Sequence, residues 1–297
     1  MSGLQNVKRL LPKLHSGLRK GTCGKIGIIG GSAEYTGAPY FAAISAVKLG
    51  ADLIHVFCPP EAASVIKGYS PELMVHPSFD DEKALFEKLS RLDAIVIGPG
   101  LGRDPRRSSL VKNVLKFVHE KQLPTVIDAD GLWFVCDLLE TVQNSNTLLL
   151  TPNTIEFHRL VEKATGESDL ERYNKDPDYV EQKAKEFVDK TGLSIYLKGK
   201  DDLVICPKWE APVYGKEDGS PRRCGGQGDL TAGTLGVFYF WAKKEFDQHD
   251  EAMKYAALAS HEIVRMAART AFEKFGRSMT AGDMIEQICP ILLKLDK

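Results

Sequence analysis

Gly225-Gly226-Gln227-Gly228-Asp229-Leu230-Thr231-Ala232-Gly233 is the stretch of this chain whose residue types and spacing best suit chemistry. Glycines let successive backbone N–H groups converge at a helix start, where unsatisfied donors and the helix dipole favour an anion. Asp229 falls in the first turn of the expected helix. Its carboxylate can take a proton from an attacking hydroxyl while the amides of the glycine cluster offset the charge of a phosphoryl group in transfer. The plainer reading is a turn whose acid complements the dipole. Three glycines and an acid within five residues, then Ala232, Gly233 and Gly236 permitting close helix packing, favour the chemical reading.

Further candidates stand where short aliphatic runs end. Gly30-Gly31-Ser32 leads to Thr36-Gly37-Ala38-Pro39, and Gly98-Pro99-Gly100-Leu101-Gly102 precedes Arg103-Asp104. Neither has the G-x-G-x-x-G spacing and no G-x-x-x-x-G-K-[ST] occurs, which argues against a dinucleotide fingerprint and excludes a P-loop. Paired glycine turns still let a bulky ligand approach backbone closely. Asp128-Ala129-Asp130 and Thr151-Pro152-Asn153-Thr154-Ile155-Glu156 end two more runs; Asp128 and Glu156 are candidate carboxylates for Mg²⁺, directly or through water. Asn153 with Glu156 also has capping-box spacing, which needs no ligand. Lys198-Gly199-Lys200-Asp201-Asp202 reads as a hairpin-like turn whose cations can reach the phosphates or ribose of a nucleotide.

The elements that must position these residues alternate along the chain. Lys25 to Ile29, Leu53 to Phe57, Ala94 to Ile97, Thr125 to Asp128, Leu148 to Thr151, Ser194 to Leu197 and Leu203 to Cys206 read as buried strands. Helical patterns cover Tyr40 to Leu49, Asp104-Pro105 to about Glu120, Glu181 to Lys190, Leu230 to Lys243, Glu251 to Phe275 and Ala281 to Leu293. The alternation predicts an α/β protein, a mostly parallel sheet covered by helices on both faces, whose ligands gather beyond the carboxyl ends of the strands. No linker divides the 297 residues, so residues 1–297 read as one domain, with the polar stretch Gly166 to Asp178 as an inserted loop.

A formal net charge of -1 gives no general attraction for nucleic acid or an anionic membrane, and no apolar run is long enough to span a bilayer. Six cysteines without a CxxC pair suit a reducing compartment, and the seven histidines lack metal spacing, since His261-Glu262 is not followed by the second histidine of HExxH. Cys224, beside the glycine cluster, reads as a small residue rather than a catalytic thiol. The basic stretch Asn6 to Lys25 reads as a surface helix, with a faint likeness to a mitochondrial presequence. The expected location is cytoplasmic, with a mitochondrial form left open.

Together Gly30-Gly31-Ser32, Thr36-Gly37-Ala38-Pro39, Gly98-Pro99-Gly100-Leu101-Gly102, Asp128-Ala129-Asp130, Thr151-Pro152-Asn153, Lys198-Gly199 and Gly225-Gly226-Gln227-Gly228-Asp229 resemble, in order, the ATP- or ADP-dependent NAD(P)H-hydrate dehydratases of the ribokinase-like superfamily. The resemblance runs from about Leu10 to Leu293. It implies a three-layer α/β/α ribokinase-like fold and ATP-dependent dehydration of the S epimer of hydrated NADH or NADPH, with ATP and Mg²⁺ as cofactors. Asp229 matches the base, and Gly226, Gln227 and Gly228 the anion hole. Gly100 or Gly102 with Asn153, Thr154, Ile155, Glu156, Phe157, His158 and Arg159 matches the hydrated-nucleotide site. Lys198, Gly199, Lys200, Asp201 and Asp202, with the stretch from Gly219 to Gly228 and within it Gly225, Gly226, Gln227 and Gly228, match the ATP side. A functional partnership with an epimerase is implied, and self-association is left open. Rival readings are a kinase of the same superfamily with a stable phosphorylated product, a noncatalytic nucleotide-binding or scaffold protein, and a dinucleotide oxidoreductase.

Overall fold

In the computed structural model, which describes residues 3–295, nine strands form one sheet in the order β3-β2-β1-β4-β5-β6-β7-β8-β9. The strands are β1 (Lys25–Ile29), β2 (Leu53–Cys58), β3 (Met74–Pro77), β4 (Ala94–Ile97), β5 (Thr125–Ile127), β6 (Leu148–Leu150), β7 (Ser194–Leu197), β8 (Asp202–Ile205) and β9 (Val213–Gly215). β1 to β7 pair in parallel; β8 and β9 add antiparallel. The helices are α1 (Gln5–Leu10), α2 (Gly37–Leu49), α3 (Pro60–Tyr69), α4 (Glu82–Leu89), α5 (Ser108–Glu120), α6 (Asp130–Val142), α7 (Thr154–Thr165), α8 (Pro177–Thr191), α9 (Gln227–Glu245), α10 (His249–Phe275) and α11 (Ala281–Leu292).

Successive strand side chains point to opposite faces, so each short aliphatic strand feeds two cores. Ile26, Ile28, Ala94, Val96, Val126 and Leu149 join one cluster with α1, α2, α3, α9, α10 and α11. Ile29, Ile95, Ile97, Ile127, Leu148 and Leu150 join the other with α4 to α8. This is the expected three-layer α/β/α arrangement. α9 turns no side of its first half to solvent: Leu230 to Tyr239 are all buried, because Gly233 and Gly236 remove the side chains that would strike α2 and the sheet. A Cβ at Gly233 would stand 2.0 Å from the Ala42 carbonyl oxygen, and one at Gly236 2.7 Å from Val96.

Several expectations need correction. The basic stretch Asn6 to Lys25 is helical only as far as Leu10, where Val7 and Leu10 sink into the core and buried Glu262 accepts from the Asn6 and Val7 amides. Asp104 caps a short 3-10 turn, Pro105–Arg107, rather than opening α5 itself. The Gly166 to Asp178 stretch is largely a loop, yet it holds a 3-10 turn at Arg172–Asn174 that buries Tyr173, and α8 already begins at Pro177. β3, β9, α3, α4, α6 and α7 add to the expected set.

Candidate active site

The sheet order turns at β1, whose two neighbours are β2 and β4, and in open parallel sheets a crevice forms beyond the strand ends at such a point. Here a cleft of about 740 Å³ is lined by Ser32 to Tyr35 after β1, by Gly100 to Asp104 after β4, and by Ala129, Asp130 and Asp229. The backbones crowd behind it: a Cβ at Gly98 would lie 1.8 Å from the Asp128 carbonyl oxygen, and one at Gly30 would lie 2.1 Å from that of Pro99. Only glycine fits there. A second crevice, of about 350 Å³, lies further along the same rim and is lined by Asn153, Lys198, Gly199, Gly219, Arg223, Gln227, Gly228 and Arg265 among others.

The first turn of α9 separates the two. Gly226 is its N-cap at φ +94°, a left-handed conformation that glycine adopts without strain, and no side chain caps the helix. The opening amides of α9 therefore keep donors for an anion. Gln227 and Gly228 face the smaller crevice while Asp229, one residue on, lines the larger. Gly225 is exposed and has nothing within 4 Å of an added Cβ.

Burial, reinforced by Asp128 and Asp130 against the partial relief of Lys198, pushes the Asp229 carboxyl up to about 8. That places it within reach of the pH at which a general base works. Asp128 behaves differently. It is buried, yet its Oδ1 accepts from Lys198 Nζ at 2.5 Å and from Thr151 Oγ1 at 2.7 Å. Burial works against the Lys198 ammonium, but Asp128, Glu156 and Asp229 outweigh it and hold the lysine above its ordinary pKa. A fixed positive charge thus stands beside Gly228, whose Cβ position lies 3.6 Å from Lys198 Nζ.

Ala129 sets the two neighbouring acids apart. Its φ of 48° with ψ of -120° is a strained conformation for a residue with a Cβ, of the kind that persists where surrounding structure enforces it. The kink sends Asp128 to Lys198 and Asp130 to the larger cleft, where Asp130 accepts from the Gly102 amide and from Arg103 Nε, both at 3.0 Å. Asp202 is also structural. Its Oδ1 accepts from the Gly199 amide and Arg265, and its Oδ2 from the Tyr196 hydroxyl and His261, so all four contacts serve to hold the β7–β8 turn and Arg265 at the smaller crevice.

The span Asn153 to Arg159 is divided by its helix. Asn153 and Glu156 form a full capping box, with Asn153 Oδ1 accepting from the Ile155 and Glu156 amides and Glu156 Oε2 accepting from the Asn153 amide. Asn153 lines the smaller crevice rather than the larger. Phe157 is fully buried against Tyr173 and Phe187, and His158 bonds Ser168 Oγ at 2.7 Å, so neither side chain faces a cleft. Thr154, Ile155 and Arg159 line none of the described cavities. Lys200 and Asp201 are exposed at the tip of the turn, outside the crevice wall. No group of three His, Cys, Asp or Glu among the described residues is spaced to hold a metal. Burial pushes the Cys224 thiol up, which disfavours the thiolate a nucleophile needs. The sequence alone gives no site role to Arg265, Tyr196, Arg106 or Arg107, and it shows His261, Thr151 and Arg103 only as parts of motifs, without the contacts they make here.

The layers, the switch-point cleft and the helix-capped anion nest define a ribokinase-like protein. The chain belongs to the NAD(P)H-hydrate dehydratase family, whose model matches residues 26–290. An ATP-dependent (S)-NAD(P)H-hydrate dehydratase of Caenorhabditis elegans is 51% identical over 282 residues, covering 94% of this chain and 91% of its own. The one from Bos taurus is 41% identical, covering 98% and 88%. Among solved structures, a ribokinase-like superfamily protein of Enterococcus faecalis superposes with a TM-score of 0.79 at 20% identity, covering 98% of this chain and 94% of its own. An ADP/ATP-dependent NAD(P)H-hydrate dehydratase of Bacillus subtilis, co-crystallised with ATP and Mg²⁺, gives 0.72 at 20% identity, covering 98% and 96%.

Proposed function

We propose that this chain dehydrates the S epimer of hydrated NADH and NADPH at the expense of ATP, returning NAD(P)H with ADP and phosphate. The observation that carries this reading is the placement of one half-buried carboxylate, Asp229, on the larger cleft, with the amides of Gln227 and Gly228 and the Lys198 ammonium on the smaller. A donor phosphate in the small crevice and an alcohol in the large cleft meet at the start of α9.

Hydroxide is a poor leaving group, so the C6 hydroxyl of the hydrated ring must first be esterified. Asp229 accepts the hydroxyl proton, the alcohol oxygen bonds to the γ-phosphorus, and the bond to ADP breaks. The α9 amides and Lys198 stabilise the charge on the transferred group. The ring nitrogen lone pair then expels phosphate and loss of the C5 proton restores the dihydronicotinamide.

Mg²⁺ bound with a nucleotide takes most of its ligands from phosphate and water, and needs only one or two protein carboxylates. Asp128, which keeps Oδ2 toward the first turn of α9, fits that demand, with Glu156 nearby through water. The ion would offset phosphate charge. Substrate and donor are small molecules, and the opposite epimer needs a separate epimerising activity before this one can act. No helix among the described residues is long and apolar enough to cross a membrane.

The test incubates the protein with acid-hydrated NADH, Mg²⁺ and ATP while following dihydronicotinamide absorbance and free phosphate. Both should appear together. A stable phosphorylated product without returning absorbance would instead favour a kinase.

A further inference from the structure

Beyond the larger cleft lies a recess of about 350 Å³ lined by Pro59, Phe79, Asp80 and Leu110, and its other walls, Glu61, Asp104, Arg106 and Arg107, are shared with the cleft. We propose that this recess receives the adenosine end of the dinucleotide, with Arg103 and Arg106 on the bridging phosphates at the waist. The proposal rests on the dinucleotide reading above.

Chemistry fixes one end of the ligand. The nicotinamide ring must lie at Asp229 because its hydroxyl gives up a proton there, so the remainder has to run away from α9. The smaller crevice is claimed by the phosphoryl donor. Among the described cavities the recess alone shares walls with the cleft without touching the first turn of α9.

The waist carries donors that the protein leaves unspent. Asp104 caps the 3-10 turn through the Arg106 amide, so its carboxylate is fixed, and it grips Arg106 through Nε and one terminal nitrogen. The other terminal nitrogen of Arg106 has no partner among the described residues, although the side chain is 89% exposed. Arg103 spends only Nε, on Asp130. Oriented guanidinium forks with free N–H groups suit paired phosphates. Arg107 is a wall instead: its terminal nitrogens go to Glu61 and the Gly31 carbonyl, and its guanidinium lies 5.3 Å from the Phe79 ring centre. Behind it, Pro59, Phe79 and Leu110 offer an apolar floor for a purine, and exposed Asp80 offers an acceptor for ribose hydroxyls.

The test compares hydrated NADH with hydrated reduced nicotinamide mononucleotide, which ends at its single phosphate. The native protein should favour the dinucleotide in kcat/KM by about tenfold or more, the equivalent of one or two charge-assisted hydrogen bonds. Arg106→Glu should remove most of that preference, lowering the dinucleotide value far more than the mononucleotide value; Leu110→Met, on the floor, should leave folding intact and shift the preference in the same direction more weakly. An equal fall for both substrates, or no fall for either, overturns the subsite. Should the native protein turn over neither hydrate, the dehydratase reading fails by itself. Fluorescence titration with NADH and the reduced mononucleotide then decides the recess: an Arg106-dependent preference for NADH upholds it, and equal binding overturns it.

Discussion

The crevice on the Lys198 side and the cleft on the Arg106 side meet at one turn of helix, but their polar groups are held in different ways. In the crevice, charges are buried and engaged with one another. The Asp202 side chain is 6% exposed and His261 1%, and the Lys198–Asp128 pair sits against a carboxylate at 2%. In the cleft, Arg103 and Arg106 stand at 51% and 89% exposure, each paired to an acid close by. A preorganised set of buried charges suits a group whose charge is redistributed during reaction, since nothing has to reorganise in the transition state. Exposed forks suit the capture of a long flexible anion, whose contacts add affinity and orientation more than rate. Asp229 belongs to neither pattern, being half-buried and having no ion-pair partner among the described residues.

The comparison is broken most sharply at that residue. Asp229→Asn keeps size and leaves both cavities in place, so nucleotide binding should persist while kcat falls by roughly 10²–10⁴-fold, the usual share of a general base. Turnover measured with saturating ATP and hydrated NADH checks it, and near-native kcat would remove the proposed base.

Next in size is Lys198→Met. Asp128 is then buried without its cation, a loss that typically destabilises by about 3–5 kcal/mol and here is nearer about 2–3, because a fifth of the lysine side chain still meets water. Denaturant unfolding would show it. An equivalent change at Arg106 should leave the unfolding midpoint almost unmoved, because an exposed pair is screened by water. Equal effects at the two sites would erase the distinction between the cavities.

His261→Ala is milder. It removes one support of Asp202 and the anchor that accepts from the Glu217 amide, loosening the wall that carries Arg265 and Gly219. KM for ATP should rise about tenfold, about the worth of one charge-assisted hydrogen bond, with kcat and KM for hydrated NADH little changed. A fall confined to kcat would mean that the network acts on the reaction instead.

The parts legible in sequence are those encoded locally. Gly226 before a first-turn acid, the Asn153–Glu156 capping box and the buried aliphatic runs each carry their own signal within a few residues. β3 and β9 carry little: Met74–Pro77 includes histidine and proline, Val213–Gly215 has three residues, and both gain strand geometry from the neighbour they pair with. The crevice network was hidden for a related reason. His261 and Arg265 lie four apart on α10 and meet Asp202, 59 and 63 residues away, only once the helix packs beside β8. Their i, i+4 spacing was visible, but nothing in it named the partner. Ala129 gives no sign at all, since its positive φ goes with the tight packing of the turn after β4, at Gly98, against the Asp128–Gly131 turn between β5 and α6. Likewise the resemblance gives Asn153 to Arg159 as one stretch of a site, while helical rotation turns Phe157 inward.

The smallest expected effect concerns pH, and it separates Asp229 from the paired acids. Its folded carboxyl titrates at about 8, whereas in the unfolded chain it titrates near the ordinary aspartate value of about 4. Below pH 4 both states hold the proton and the difference costs nothing. As pH rises from about 4 to 8 the unfolded chain releases a proton that the folded one keeps, so this group lowers stability progressively, and above about 8 the cost levels off. Asparagine cannot titrate. The Tm of Asp229→Asn relative to the native protein should therefore climb by a few degrees across that window and then flatten, measured by calorimetry without nucleotide. The same carboxyl must lose its proton to act, so kcat/KM should rise with pH along a limb near the same value, shifted by whatever charge the bound nucleotide brings. A Tm difference that stays constant from pH 4 to 8 would mean that water reaches Asp229 as freely as it reaches Arg106, and the contrast between a buried reaction site and an exposed capture site would lose its central residue.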